Sequence, residues 1–383
     1  MKILLIANSA DDVFITAKTK WLKKVIPNCI IDIFEFFPSD KQDHNIYADE
    51  IGSYNAQKGW FQKGMFKPFG MSLQLKNFLK GKYYDIIQCH WITRPVILIG
   101  NYHQYCSKLF ATFWGGERSH LKLFHTKTCY NYFLDRFLRQ VDYIINSSTY
   151  NKNLIADYPY MAGKCLVGAL GSEPLEALYK LMEKESKAES KAHFGISPDK
   201  TVVLIGYSGK TLHQHLPIIQ ALSNTPELKN KIHILAPMTR GGSEQYNQKV
   251  EQALKNSGYT YTQLTGGFLD NEEVARLRNC TDIVLQLSQF DGFSRSIVEC
   301  FCAKAVVLYG EWMNYLPHLQ ENGFKAHPVQ SIEEAVERLI YIVDNLTSYK
   351  EECEQNSVNG KKNNLWSECI CDWKDAYESA LSY

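Results

Sequence analysis

Phe290-Asp291-Gly292-Phe293-Ser294-Arg295-Ser296-Ile297-Val298-Glu299 is the stretch from which the rest of the chain is read. An apolar run at 282–287 (DIVLQL) precedes it and predicts a buried parallel strand. The residues that follow, 297–303 (IVECFCA), predict a helix packed on the same sheet. Between them lies a turn holding Gly292 and Ser294, residue types that let a backbone bend and cap a helix. A strand, a glycine-bearing turn and a helix N-terminus form an anion site, because unpaired N–H groups and the helix dipole point outward there. Two carboxylates flank that turn, Asp291 and Glu299, with seven residues between them.

At 383 residues the chain exceeds what one core usually holds, so two domains are expected. Hydrophobic residues at 45% and charged residues at 22% describe a soluble globular protein. The formal net charge of +1 argues against a nucleic-acid partner, and any anionic ligand must be met by local cations. The 13% aromatic content fits either carbohydrate- or lipid-facing surfaces or aromatic-rich cores. The 11 cysteines are spread out, with only C-x-C pairs at 300/302 and 369/371, which lack zinc-knuckle spacing. Reduced, buried thiols, no metal and no cofactor are therefore expected, with a cytoplasmic location. Residues 1–7 (MKILLIA) are too short for a secretory signal and read as a first strand; no apolar run is long enough to span a membrane.

Taken in order, residues 1–175 alternate short apolar strands with amphipathic helices. Strands are expected at 2–7, 30–36, 85–90, 109–113, 141–146 and 164–167. The charge-alternating segment 176–200 reads as an interdomain linker. Alternation resumes over 201–360, with strands at 202–206, 231–236, 282–287 and 305–309. The tail 361–383, with Trp366 and Trp373, reads as a helix packing back across the domains. Such alternation implies right-handed crossovers and two Rossmann-like, doubly wound parallel sheets. Ligands in these α/β folds bind beyond the carboxyl ends of strands. That places His90, the Trp114-Gly115-Gly116-Glu117 loop and the turn after Gly206 among the candidates.

The run 267–310 (GFLDNEEVARLRNCTDIVLQLSQFDGFSRSIVECFCAKAVVLYG) resembles the donor-binding half of family 4 retaining glycosyltransferases. Thr281-Asp282, Ser288, Asp291-Gly292-Phe293-Ser294 and Glu299 match that family's motif in order and spacing. The resemblance implies a GT-B fold, two such domains facing a cleft. It further implies a nucleotide diphosphate sugar as donor, transfer with retention and no metal. By the same resemblance Asp291 contacts the sugar hydroxyls and Glu299 the ribose. Backbone N–H groups of Gly292, Phe293, Ser294 and Arg295 cradle the diphosphate. Gly206 resembles the family's phosphate turn, and Lys210, Arg240 and Arg295 are the candidate phosphate cations. The chain departs from the pattern in three places. Asp291 stands where Glu is usual, Lys210 and His213 stand near the usual Arg and Lys, and Asn8-Ser9-Ala10-Asp11-Asp12 replaces the N-terminal glycine loop.

In the first half His90 either lines the cleft or is satisfied by a neighbouring backbone, and Glu117 is a candidate acceptor contact or catalytic group. The segment 60–82 mixes aromatics with Lys63, Lys67, Lys76, Lys80 and Lys82 and carries no acid. It suits either an anionic membrane surface, at about 1 kcal/mol per basic residue, or an acceptor-side loop. The reading is a glycosyltransferase of surface polysaccharide synthesis, acting on a glycan or polyprenyl-linked acceptor at the inner face of the membrane. Its alternatives are an inert GT-B module that binds a glycan or a protein, and a sugar-nucleotide epimerase.

Overall fold

A computed structural model describes residues 1–38, 45–57, 66–113 and 129–382. The chain divides into two compact units: 1–170 with 366–383, and 171–365. Among the described residues the first unit holds seven parallel strands. They are β1 (Lys2–Ala7), β2 (Ile30–Glu35), β3 (Glu50–Ser53), β4 (Tyr84–His90), β5 (Cys106–Thr112), β6 (Tyr143–Asn146) and β7 (Cys165–Val167). Their spatial order is β3-β2-β1-β4-β5-β6-β7. The second unit holds β8 (Thr201–Ile205), β9 (Ile232–Pro237), β10 (Thr260–Leu264), β11 (Ile283–Gln286), β12 (Val306–Gly310) and β13 (His327–Val329). Their order is β10-β9-β8-β11-β12-β13, again all parallel.

In both sheets the order reverses between the first and fourth strands, and the crevice at the carboxyl ends of those strands is the place such a topology offers a ligand. Central strands such as β9, β11 and β12 are buried along their whole length, as helices on both faces require. Helix Val13–Val25 starts where the Asp12 carboxylate accepts from Phe14 N at 2.9 Å.

The division differs from the sequence expectation in two places. Residues 176–200 belong to the second unit, where Leu175, Leu178, Leu181 and Ile196 enter its core. The charges of this segment do not simply face solvent: Lys191 Nζ lies 2.7 Å and Lys187 Nζ 3.3 Å from the buried Asp282 carboxylate. That carboxylate also accepts from Val202 N at 2.8 Å, which pins the helix Lys187–His193 to the sheet. The C-terminal helix Trp366–Leu381 packs within the first unit, joining Ile3, Leu5 and Ile33 in one core through Trp366, Ile370, Trp373 and Tyr377. Trp373 Nε1 donates to Ala169 O at 2.9 Å, and the Lys18 ammonium lies 3.4 Å from the ring centroid.

Trp373→Ala therefore removes one of the two largest side chains of a buried cluster. A loss of roughly 3–5 kcal/mol is expected, read as a lower urea midpoint for the first unit; a shift below about 1 kcal/mol contradicts the packing role.

Candidate functional site

The second sheet reverses direction beside β8, and the chain leaves that strand through Gly206 at φ +66°. A side chain is excluded there, because a Cβ would lie 2.7 Å from His215 Nε2 and 2.9 Å from His213 Cβ. The loop that follows meets the loop after β9. Gly209 N donates to Arg240 O at 2.8 Å, and a Cβ on Gly209 would stand 2.9 Å from Gly242 Cα. The Lys210 side chain lies along Gly241, so the two glycine-bearing loops bring Lys210 and Arg240 together at the carboxyl ends of β8 and β9. Both cations are exposed. The helices that follow β8, β9 and β11 begin at this end of the sheet: His215–Ser223, Glu244–Ser257 and Arg295–Cys302.

Asp291 is the centre of the adjoining loop. Its Oδ1 accepts from Tyr207 Oη at 3.0 Å. Its Oδ2 accepts from Gln286 Nε2 at 3.0 Å, from Ser294 N at 3.3 Å and from the Tyr315 hydroxyl. Burial and this carboxylate push the Tyr207 phenol up to about 12 and raise the Tyr315 phenol further, so both remain donors at neutral pH. Phe293 takes the left-handed conformation at φ +63°. Its ring is held by stacking on His318, with centroids 5.1 Å apart, and edge-on against Tyr315. His213 bridges the two strand ends: Nε2 is 2.9 Å from Ser208 Oγ and Nδ1 is 2.8 Å from Ser288 Oγ.

Glu299 stands one helical stretch behind the turn and is buried. Its Oε2 accepts from Arg278 Nε at 3.0 Å, both side chains being almost wholly enclosed, and its Oε1 accepts from Ser172 Oγ at 3.4 Å. Arg295 does not point freely over the turn: its Nη1 donates to Asn364 Oδ1 at 2.5 Å. The structure thus gathers Gly206, Lys210, Arg240, Asp291, Gly292, Phe293, Ser294 and Arg295 around the ends of β8, β9 and β11, with Glu299 beneath them. Tyr207, Gln286, Tyr315, Arg278 and Ser172 join the site without having been singled out in the sequence.

The first unit contributes differently. His90 ends β4 at the reversal point of its sheet but is enclosed, with Nε2 3.2 Å from Lys18 Nζ and its ring near Trp373. Burial and the neighbouring lysine hold its pKa well below the usual histidine range, and burial lowers Lys18 likewise. The enclosed ring presents no surface to a substrate. Glu117 and its loop, and residues 58–65 of the basic aromatic segment, lie outside the described residues. Most of the described remainder of that segment forms the helix Lys67–Leu79, where Phe69, Leu73 and the preceding Phe66 are exposed. Among the described residues no helix is long and apolar enough to cross a membrane, and no cluster of His, Cys, Asp or Glu has the makings of a metal site.

No protein-family model matches the sequence, and no curated protein matches it significantly. Solved structures do match. A sucrose-phosphate synthase from Thermosynechococcus elongatus superposes at a TM-score of 0.71 with 12% identity, covering 100% of this chain and 99% of that one. Anabaena HepE, solved with UDP and glucose, gives 0.65 at 14% identity over 99% and 100%. The UDP-GlcNAc 2-epimerase of Neisseria meningitidis, bound to UDP-GlcNAc, gives 0.67 at 12% identity over 100% of both chains. These likenesses show the fold: the chain has the two-domain GT-B architecture.

Two outcomes follow from the site's packing. Glu299→Ala leaves the Arg278 guanidinium buried without its carboxylate, and a loss of roughly 3–5 kcal/mol is expected in urea unfolding; unchanged stability contradicts the pairing. His213, His215 and His233 are all lowered to about 4, each chiefly by burial. Their unfolded pKa lies near 6.5, so the unfolded chain binds more protons than the folded one between these values. Stability is full above pH 6.5 and falls as pH drops toward 4, by up to roughly 3 kcal/mol per histidine. His213→Gln should flatten that slope in urea midpoints taken from pH 7.5 to 4.5, and an unaltered slope counts against His213.

Proposed function

We propose that the chain is a glycosyltransferase that moves a sugar from a nucleotide diphosphate donor to a glycan or polyprenyl-linked acceptor, with retention, in surface polysaccharide synthesis. The observation that carries this reading is the meeting of Lys210 and Arg240 beside the N-termini of the helices that follow β8, β9 and β11. Cleaving a sugar–diphosphate bond builds negative charge on the departing oxygen, and fixed cations and helix N-termini stabilise that charge where it forms. The N–H groups of residues 293 and 295, beside left-handed Phe293, serve the diphosphate, while that of Ser294 stays on Asp291. A sugar hydroxyl reaching Asp291 exchanges with one of its phenol donors. A ribose hydroxyl reaching Glu299 takes Oε1 in place of the long Ser172 contact, leaving Oε2 on Arg278. The acceptor hydroxyl attacks on the face the diphosphate leaves, and this retaining course rests on the resemblance of residues 291–299. The neighbours solved with UDP and glucose or with UDP-GlcNAc support a nucleotide-sugar ligand.

A cytoplasmic location against an anionic membrane face is supported by the exposed Phe66, Phe69 and Leu73 beside Lys67, Lys76 and Lys80. A second reading, sugar-nucleotide epimerisation, is favoured by the likeness to the Neisseria meningitidis enzyme. It would yield an epimerised sugar without an acceptor, either still joined to the nucleotide or, where water cleaves the sugar–phosphate bond, free beside it.

Calorimetry with UDP, GDP and dTDP should find one that binds. Lys210→Ala and Arg240→Ala should each weaken it roughly 10- to 100-fold, as loss of a charge-assisted contact requires. Binding by none of the three points to an inert module and overturns the proposal. An epimerised sugar formed without acceptor would establish the epimerase instead.

A further inference from the structure

We propose that Asn364 is a positioning residue that competes with the donor diphosphate for Arg295, so that donor binding loosens the chain where it passes between the two units. The inference rests on the donor-site reading and adds a residue to it. The chain enters the second unit at 170/171 and leaves it at 365/366. Asn364, the last residue of the helix Lys350–Asn364, sits just before the exit and is nearly fully buried. Its side-chain oxygen accepts from Arg295 Nη1 at 2.5 Å, and its amide nitrogen donates to Gly360 O at 3.3 Å. Its backbone oxygen accepts from Ser172 N at 3.1 Å, beside the entry point. Ser172 Oγ in turn donates to Glu299. Both passages of the chain are thus bonded to the one helix, Arg295–Cys302, whose N-terminus is the proposed diphosphate cradle.

The two helices are locked against each other, so a change at one end reaches the other. A Cβ on Gly360 would lie 2.3 Å from Cys302 Sγ, and Ser357 Oγ donates to Cys302 O at 2.7 Å. Arg295 is the first residue of its helix, and a guanidinium prefers a phosphate oxygen to a neutral amide oxygen, because charge-assisted bonds are roughly twice as strong. A diphosphate at the turn draws Arg295 away from Asn364. Linkage makes the effect reciprocal: whatever holds Arg295 on residue 364 weakens the donor by the same factor.

The test sets opposite signs on two substitutions. Asn364→Asp supplies a carboxylate of the same size and should weaken UDP binding about tenfold, whereas Asn364→Ala removes the competing oxygen and should tighten it about threefold. A merely structural asparagine would move both in one direction, and that result overturns the proposal. The fastening is read separately, without nucleotide, as amide hydrogen exchange. Arg295→Ala, with Arg295→Lys as the milder variant, should speed exchange at 171–176 and 360–368 several-fold. Exchange at the wild-type rate there overturns the fastening. If wild-type protein binds none of UDP, GDP or dTDP, the donor reading fails and the competition with it, while the exchange comparison still decides whether Arg295 holds Asn364.

Discussion

The Asp291 carboxylate receives hydrogen bonds from four different parts of the second unit. Tyr207 comes from the loop after β8, Gln286 from β11, the Ser294 amide from a helix start and Tyr315 from the turn after β12. Inside a protein such charge-assisted bonds are short and mutually reinforcing, and a carboxylate with several donors holds them in fixed directions. The arrangement of the strand ends depends on it. His213 adds a second tie between the loops after β8 and β11, through Ser208 and Ser288. Gly206 leaves the room that this histidine and His215 occupy.

This constraint explains why an aspartate occupies the position. A glutamate is one methylene longer and would carry its carboxylate past the ring formed by Tyr207, Gln286 and Tyr315. The shorter side chain keeps the charge among its donors, and the same pull turns the backbone so that Phe293 adopts its left-handed conformation against His318. That conformation costs on the order of 1–3 kcal/mol for a residue with a side chain. It persists because the ring is packed on two sides and the next residue's amide is bonded to Asp291. The turn is therefore built before any ligand arrives, which is the condition for electrostatic stabilisation without reorganisation.

Strands buried on both faces were legible in the sequence because they are near-continuous apolar runs, as in 282–287 and 202–206. The strands missed were β3, β10 and β13, which lie at the edges of their sheets. Edge strands are short and only half covered, so their residues, such as Thr260 to Leu264 or the Pro328 within β13, carry no such run. The segment 176–200 misled for an electrostatic reason: lysines 187 and 191 look solvated until their partner, Asp282, is brought to them from some 90 residues away. The acids and cations proposed for the site were singled out through the resemblance of a continuous local stretch and of the turn after Gly206. Their partners were not, because Arg278, Ser172, Tyr315 and Asn364 reach them across distances in sequence that no local pattern encodes.

The two sheets share one strand order through their first four members, yet among the described residues what stands at the reversal point differs. In the first unit the turn after β1 has no glycine. The buried Ala10 bonds its N–H to the Glu35 carboxylate at 2.8 Å, and the other Glu35 oxygen accepts from Ser53 Oγ at 2.6 Å. A phosphate there would meet a methyl group and a buried carboxylate in place of free N–H groups. The neighbouring Lys18 is held inside the core by His90 and the Trp373 ring. In the second unit the same topological position has Gly206, two exposed cations and helix N-termini facing outward. Identical topology has been given opposite electrostatics, closed and carboxylate-lined in one unit, open and cationic in the other. Among the described residues, a negative charge at a strand end meets outward-facing cations and helix N-termini in the second unit.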